Sequence, residues 1–211
     1  MEGIQLKEDP EGFETLLGCK VEADLKWHTQ IGELIKKLKK RLTGITQLKY
    51  AIPFKLRKSI AEGLFNSVLI YCLPVFGGCE QYELESLQVM QNKAARIVTH
   101  SNFRKPRKDM YQDLGWLTIN QLIYYHTVIS VFKIRLTQEP EYLSTILNRT
   151  SRTGNIVLPN NILVLAEKSF CFRGSKQWND LPQNIQKVKK VGQFKKMVKI
   201  WILDNVAQFT N

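Results

Sequence analysis

The chain has 211 residues, 44% of them apolar, which is enough for a hydrophobic core and excludes wholesale disorder. Lysine and arginine number 31 against 19 acidic residues, a formal charge of +12. A surplus of that size attracts polyanions, nucleic acid first and an anionic membrane surface second.

Residues 1 to 12 are acidic and polar. Phe13 to Val21 alternates as a β-strand would, with Leu17, Cys19 and Val21 on one face and Lys20 and Glu22 opposite. From Lys26 the period changes to three and four residues. Trp27, Ile31, Leu34, Ile35, Leu38, Leu42 and Ile45 mark the apolar stripe of a helix, and Lys36, Lys37, Lys39, Lys40 and Arg41 hold its other face. Pro53 suits the first turn of a second helix, with Leu56, Ile60, Leu64 and Val68 as its core side and Leu73-Pro74 and Gly77-Gly78 beyond its end.

A third helix is expected from Tyr82 to Val98, with Leu84, Leu87, Met90, Ala94 and Ile97 inward. Phe103-Arg104-Lys105-Pro106-Arg107-Lys108 follows as a basic connector that proline keeps out of helix. A short helix then stops at Leu114-Gly115-Trp116. Thr118-Ile119-Asn120-Gln121 reads as a capping box opening a helix to about Thr137 that is apolar on most sides and therefore buried. Pro140 begins another short helix, and residues 149 to 166 carry little helical pattern. "FCFRGSKQWNDLP", residues 170 to 182, looks too broken for a strand or helix and too aromatic for an ordinary loop. A last helix is expected from Phe194 to Phe209.

The fold class is thus mainly α: a helical bundle with a short N-terminal β element and an irregular segment before the C-terminal helix. Three regions follow, residues 1–24, 25–148 and 149–211. Cys19, Cys72, Cys79 and Cys171 form no CxxC pair and read as reduced core thiols of an intracellular chain, nuclear or cytoplasmic. No signal-peptide run is visible, so the chain is expected not to be secreted, and the Asn148-Arg149-Thr150 sequon is read as chance. No apolar stretch is long enough to span a bilayer, and no membrane partner is expected.

Nucleophile-elbow, Walker, dinucleotide and zincin patterns are absent. His28, His100 and His126 are scattered and read as packing or surface residues. Asp9, Asp24, Asp109, Asp113, Asp180 and Asp204 are nowhere adjacent, so no carboxylate pair is offered to Mg²⁺. No catalytic residue, metal or cofactor is expected. Basic and aromatic groups together are more informative, because cations neutralise phosphates and ring faces stack on bases. Such groups concentrate at 36–41, 103–108, 168–178 and 187–199.

The segments "FETLLGCKVEADLKWHTQI", "LFNSVLIYCLPVFGG", "LESLQVMQNKAARIV", "LGWLTINQLIYYHTVISVFKIR" and "FRGSKQWNDLPQNIQ…FKKMVKIWIL" occur in that order. Together, over residues 13 to 203, they resemble the C-terminal end of reverse transcriptases encoded by jockey-like non-LTR retrotransposons. The resemblance implies a thumb-like bundle and the region after it, with the palm, its catalytic aspartates and the endonuclease not represented. It implies a non-catalytic fragment of an RNA-directed DNA polymerase that grips template and primer, RNA and DNA, through the phosphate backbone. Its nucleic-acid contacts would be Lys36, Lys37, Lys39, Lys40, Arg41, Arg104, Lys105, Arg107, Lys108, Arg173 and Lys176. Its structural anchors would be Trp27, Phe170, Phe172, Trp178, Asp180 and Pro182, with Trp178 filling a pocket and Asp180 capping the helix that Pro182 enters. The strand left without palm neighbours is expected to promote self-association. The alternative is a host-adopted helical protein-interaction module whose core survives without its grip on nucleic acid.

Overall fold

The structure, a computed structural model, describes residues 12–158 and 164–209. It is mainly helical with a short β element at the N-terminal end, as the periodicities predict, and among the described residues that element is a two-stranded sheet. The chain divides into two compact units. The first takes in the chain up to Cys72 together with Cys79–Thr118, and the second takes in Leu73–Gly78 and everything from Ile119 onward.

In the first unit, the single strand expected over Phe13 to Val21 is instead a hairpin. β1 (Phe13–Leu16) pairs antiparallel with β2 (Cys19–Glu22), Leu16 opposite Cys19. Leu17 and Gly18 form the turn, both at positive φ (50° and 80°), the handedness that continues the twist of a two-stranded ribbon. Leu17 therefore sits 85% exposed at the tip and shares no buried face with Cys19. The outer edge of β2 is partly covered, because the Lys20 amide donates to Gln30 Oε1 at 2.8 Å. Burial, and then the neighbouring Cys72 thiol, push the Cys19 thiol up to about 11.

α1 (His28–Gln47) buries Ile31, Leu34, Leu38, Leu42 and Ile45, the stripe that the spacing predicts. Trp27 precedes it in the left-handed region (φ 70°) with no side-chain cap, and the Thr29 amide donates to Glu22 Oε1 (2.9 Å) instead. α2 (Phe54–Ala61) continues through a π turn (Glu62–Asn66) into α3 (Ser67–Ile70). Here the core face lies one residue away from the expected one. Arg57, Ala61, Phe65 and Leu69 are buried, whereas Leu56 and Leu64 are 49% and 44% exposed. Both stripes have four-residue spacing. The heavier Phe65 and the hydrogen-bonding needs of Arg57 decide which one turns inward.

α4 (Leu73–Phe76) belongs to the second unit. α5 (Gln81–Thr99) returns to the first and packs along α1, burying Leu84, Leu87, Met90, Ala94 and Val98. A capping box of Glu80 and Glu83 opens it. α6 (Arg107–Leu114) takes in Arg107 and Lys108, which the sequence assigned to the connector, and closes the unit over α5. Tyr111 is buried there, with its hydroxyl 2.6 Å from Gln88 Nε2 and 3.0 Å from Asn92 Oδ1.

The second unit is built around α7 (Ile119–Thr137), which ends where the sequence predicts and is buried on most sides. α8 (Glu141–Leu147) follows Pro140. Residues 149–158 hold only an isolated bridge, Thr150 to Ile156. α9 (Val164–Glu167) precedes α10 (Phe170–Asn179), α11 (Gln183–Gln186) and α12 (Val191–Asp204), and a 3-10 turn (Val206–Phe209) follows. The last helix thus starts three residues earlier than expected and ends before Phe209. α4, α8, α10 and α12 all pack on α7. Two glycines allow close approach to α7: a Cβ on Gly77 would lie 2.8 Å from Ile123 Cγ2, and one on Gly174 would lie 2.8 Å from Val131 Cγ2. Among the described residues, no helix is long and apolar enough to cross a membrane.

Candidate nucleic-acid interface

α1 and α5 run in the same direction, and polar contacts join them at both ends. At their starts, His28 Nδ1 lies 2.6 Å from Glu83 Oε1, a buried carboxylate, and 2.9 Å from the Tyr82 hydroxyl. At their far ends, the Arg57 guanidinium donates to Lys49 O (2.7 Å), Ile52 O (2.9 Å) and Val98 O (2.7 Å). His100 Nε2 also meets Lys49 O. Val98 O is one of the last carbonyls of α5, which lack partners within the helix and carry the negative end of its dipole, while Lys49 O and Ile52 O belong to the stretch between α1 and α2, so one cation serves all three. Arg57 is not among the residues that the sequence singles out. The sequence carried no signal for it, because the apolar row Leu56-Ile60-Leu64 points the expected core face away from Arg57.

Lys36, Lys37, Lys39, Lys40 and Arg41 are all exposed on α1, as expected. Helical spacing spreads them over a wide arc rather than one stripe. Lys36 pairs with Glu33 at 2.8 Å. Among the described residues, no carboxylate lies at ion-pair distance from the other four. Lys37 belongs to a cleft of about 270 Å³ with Gly18, Gln30, Leu34, Val68 and Tyr71. Lys39 is on the opposite flank, one turn before Thr43, whose hydroxyl donates to Lys39 O. That flank opens onto a second cleft of about 600 Å³, walled by Leu42, Thr43 and Thr46 of α1 and by Lys93, Arg96 and Ile97 of α5.

The connector is ordered by its own side chains. Asn102 Oδ1 accepts from the amides of Arg104 (3.1 Å) and Lys105 (3.2 Å), and Arg96 Nη1 donates to Asn102 O (2.8 Å). Arg104 is exposed with its guanidinium 5.5 Å from the Phe103 ring centre. Lys105 is half-buried and pairs with Asp113 at 2.6 Å, which removes much of its value to a phosphate. Arg107 and Lys108 are exposed in the first turn of α6.

The stretch from Phe170 to Pro182 departs most from expectation. It is helical from Phe170 to Asn179, and the Ser169 hydroxyl accepts from the Phe172 amide (3.3 Å) at its start. Arg173 does not face outward to a phosphate. Its Nε donates to Lys168 O (2.9 Å) and its Nη2 to Pro74 O (2.7 Å). Asp180 does not cap the next helix: Pro182 holds that position, and no side chain caps α11. Lys176 is exposed, as is Pro182. Burial holds the Asp180 carboxyl above the usual carboxylate range, opposed by Lys176. The anchor role falls on Trp178, which is 3% exposed, whereas Phe170, Phe172 and Trp27 are only half-buried.

Compared with known protein families, curated proteins and solved structures, the chain matches none.

The second unit has its own basic face, on α12, where Lys195, Lys196 and Lys199 are exposed. Lys195 adds to the burial that makes one group of α7 sensitive to acid. Burial first, then Lys195 and Lys133, hold the His126 imidazole below its usual 6.5. The unfolded chain therefore takes up this proton at a higher pH than the folded one. The stability that neutral His126 contributes is present above about 6.5 and is lost as the pH falls below it. Urea midpoints measured from about pH 7 to about pH 5 should fall with acidification in the parent chain and fall less in His126→Gln. Equal falls in the two proteins would assign the acid sensitivity elsewhere.

Proposed function

We propose that the chain is a non-catalytic, helical grip for nucleic acid that holds the phosphate backbone through α1. The observation that carries this reading is the set of exposed cations on one helix: Lys37, Lys39, Lys40 and Arg41 have no carboxylate at ion-pair distance among the described residues. The formal charge of +12 supports it. So does the resemblance of the residue order to the thumb and C-terminal region of jockey-like non-LTR retrotransposon reverse transcriptases. Backbone contacts position a strand without reading its sequence, so little sequence preference is expected.

The test is fluorescence anisotropy with single-stranded RNA and an RNA–DNA hybrid at several salt concentrations. Log affinity should fall linearly with log salt, by about −0.7 per phosphate contact on a single strand and about −0.9 on duplex DNA. Replacing Lys36, Lys37, Lys39 and Lys40 by Gln should flatten the slope by several contacts and leave the urea midpoint almost unchanged, because these side chains lie off the buried stripe. A slope near zero in the parent chain would remove the reading.

A second reading, a helical module that binds protein instead, rests on one observation. Leu56 and Leu64 form an exposed apolar row on α2 and the π turn, at 49% and 44% exposure, with half-buried Ile60 between them. It gains ground if the salt slope is absent.

A further inference from the structure

The cleft between α1 and α5 has a feature that a simple phosphate grip does not need. Its floor is apolar, formed by Leu42 and Ile97, and its α5 wall carries Lys93 and Arg96. Lys39 stands one turn up on the α1 wall. Lys93 and Arg96 thus stand in a cleft between two parallel helix shafts that also holds Leu42 and Ile97, with Lys39 one turn away on α1. Past the shafts, at the shared C-terminal end, stand two largely exposed aromatic side chains. Tyr50 is 84% exposed and Phe103 is 79% exposed. Each has a cation beside its ring: Lys49 Nζ is 5.2 Å from the Tyr50 centre, and Arg104 is 5.5 Å from that of Phe103.

Neither ring is on a loose tail. The Tyr50 ring meets the His100 ring edge-on at 5.2 Å, and His100 is itself held at Lys49 O. Phe103 rides on the turn that Asn102 and Arg96 fix. Exposed ring faces with a cation beside them offer a flat surface on which a base can stack. The electrostatics then select which part of a ligand meets them. Two parallel helices bring the negative ends of both dipoles together here, and the buried Arg57 is committed to Val98 O of α5 and to Lys49 O and Ile52 O just past α1. Phosphates are better placed along the shafts, beside the exposed Lys39 and Lys93, while Arg96 is engaged at Asn102 O and Lys105 O. Uncharged base faces are better placed at the end, on the rings.

We propose that the α1–α5 cleft and the Tyr50–Phe103 end together form a single-strand site, with phosphates along the helix shafts and unpaired bases stacked on the two rings. The inference rests on the nucleic-acid reading above and adds to it a class of ligand, unpaired strands rather than duplex. Paired bases are already stacked on each other and present no face to a side chain.

The test uses the full chain and three fluorescein-labelled probes of equal length: a mixed-sequence DNA strand, an abasic strand, and the duplex. Poly-L-glutamate serves as a competitor without bases. The parent chain should bind the base-bearing strand more tightly than the abasic one, by about tenfold for each ring used. Tyr50→Ala with Phe103→Ala should abolish that preference and leave the abasic strand, the duplex and the salt slope unchanged. Tyr50→Phe with Phe103→Tyr should restore it, which separates stacking from any effect on the fold. Equal affinity for base-bearing and abasic strands, or no change in the double alanine variant, overturns the site while leaving the backbone grip intact. Competition by poly-L-glutamate as effective as that by the base-bearing strand reassigns the cleft to an acidic polypeptide. No binding of any probe removes the nucleic-acid reading and this site with it.

Discussion

Replacing Trp178 by Ala is expected to destabilise the second unit by about 3–5 kcal/mol, the range for truncating a buried large aromatic. That is a large part of the total stability of an ordinary domain. The ring lies stacked against Phe194 at 5.8 Å and Phe132 at 6.5 Å, and those two stack on each other at 4.1 Å. The Arg135 guanidinium covers it at 5.0 Å, while Nη1 of the same residue donates to Leu147 O (2.7 Å). One side chain therefore joins α7, α10 and α12, and its removal leaves a cavity that three helices cannot close together. The Trp178 carbonyl accepts from Gln186 Nε2 (3.0 Å), so the chain after α10 is held to the same point. Urea unfolding followed by far-UV circular dichroism should show a sharp loss of midpoint. Lys176→Ala, two residues away and exposed, should stay within about 0.5 kcal/mol of the parent. Equal small shifts in the two variants would show that α10 contributes no anchor.

Arg57→Ala is expected to cost about 3 kcal/mol or more in the first unit. The side chain is 6% exposed and donates to carbonyls of three residues, Lys49, Ile52 and Val98. Truncation takes this donor from buried Val98 O and part-buried Ile52 O, while Lys49 O keeps His100 Nε2, and each unmet buried group costs about 1–3 kcal/mol. It also removes the cation from the converging helix ends, where a favourable partly buried geometry is worth up to about 2 kcal/mol. Arg57→Lys keeps the charge but cannot span divergent carbonyls with one ammonium, so it should recover only part of the loss. The comparison is made by urea midpoint at equal ionic strength. A lysine variant as stable as the parent would show that charge alone matters. An alanine variant as stable as the parent would show that water replaces the guanidinium.

Much of the helical frame was legible because its signals are local. The stripe of α1 repeats at helical spacing without a competitor, and Pro53 and Pro140 mark starts that the chain uses. The face of α2 was not legible, because Leu56-Ile60-Leu64 and Arg57-Ala61-Phe65 are both four-residue rows. Hydrophobicity favours the first, while tertiary packing and the carbonyl partners of Arg57 select the second. The hairpin was missed because Leu17-Gly18 preserves strand alternation while reversing the chain. α10 was missed for the opposite reason. Gly174 reads as a helix breaker, but it is the point where α10 crosses α7 against Val131 and Thr127. Of the basic site residues, those on α1 stand exposed as expected, while Arg173 turned inward to Lys168 and Pro74 carbonyls. Side-chain direction at that position depends on a segment 99 residues away in sequence, which no local pattern encodes.

The division of the chain has a consequence for its synthesis. Leu73–Gly78 lies within the first unit's stretch of sequence yet is built into the second, where Leu73 and Phe76 are fully buried and Gly77 meets Ile123. On the ribosome, everything the first unit needs has been made by Thr118. At that moment the six-residue excursion has no α7 to receive it. The α4–α7 contacts that cover these two apolar side chains can form only once α7 has been made, so the order of synthesis limits how early this stretch can be buried.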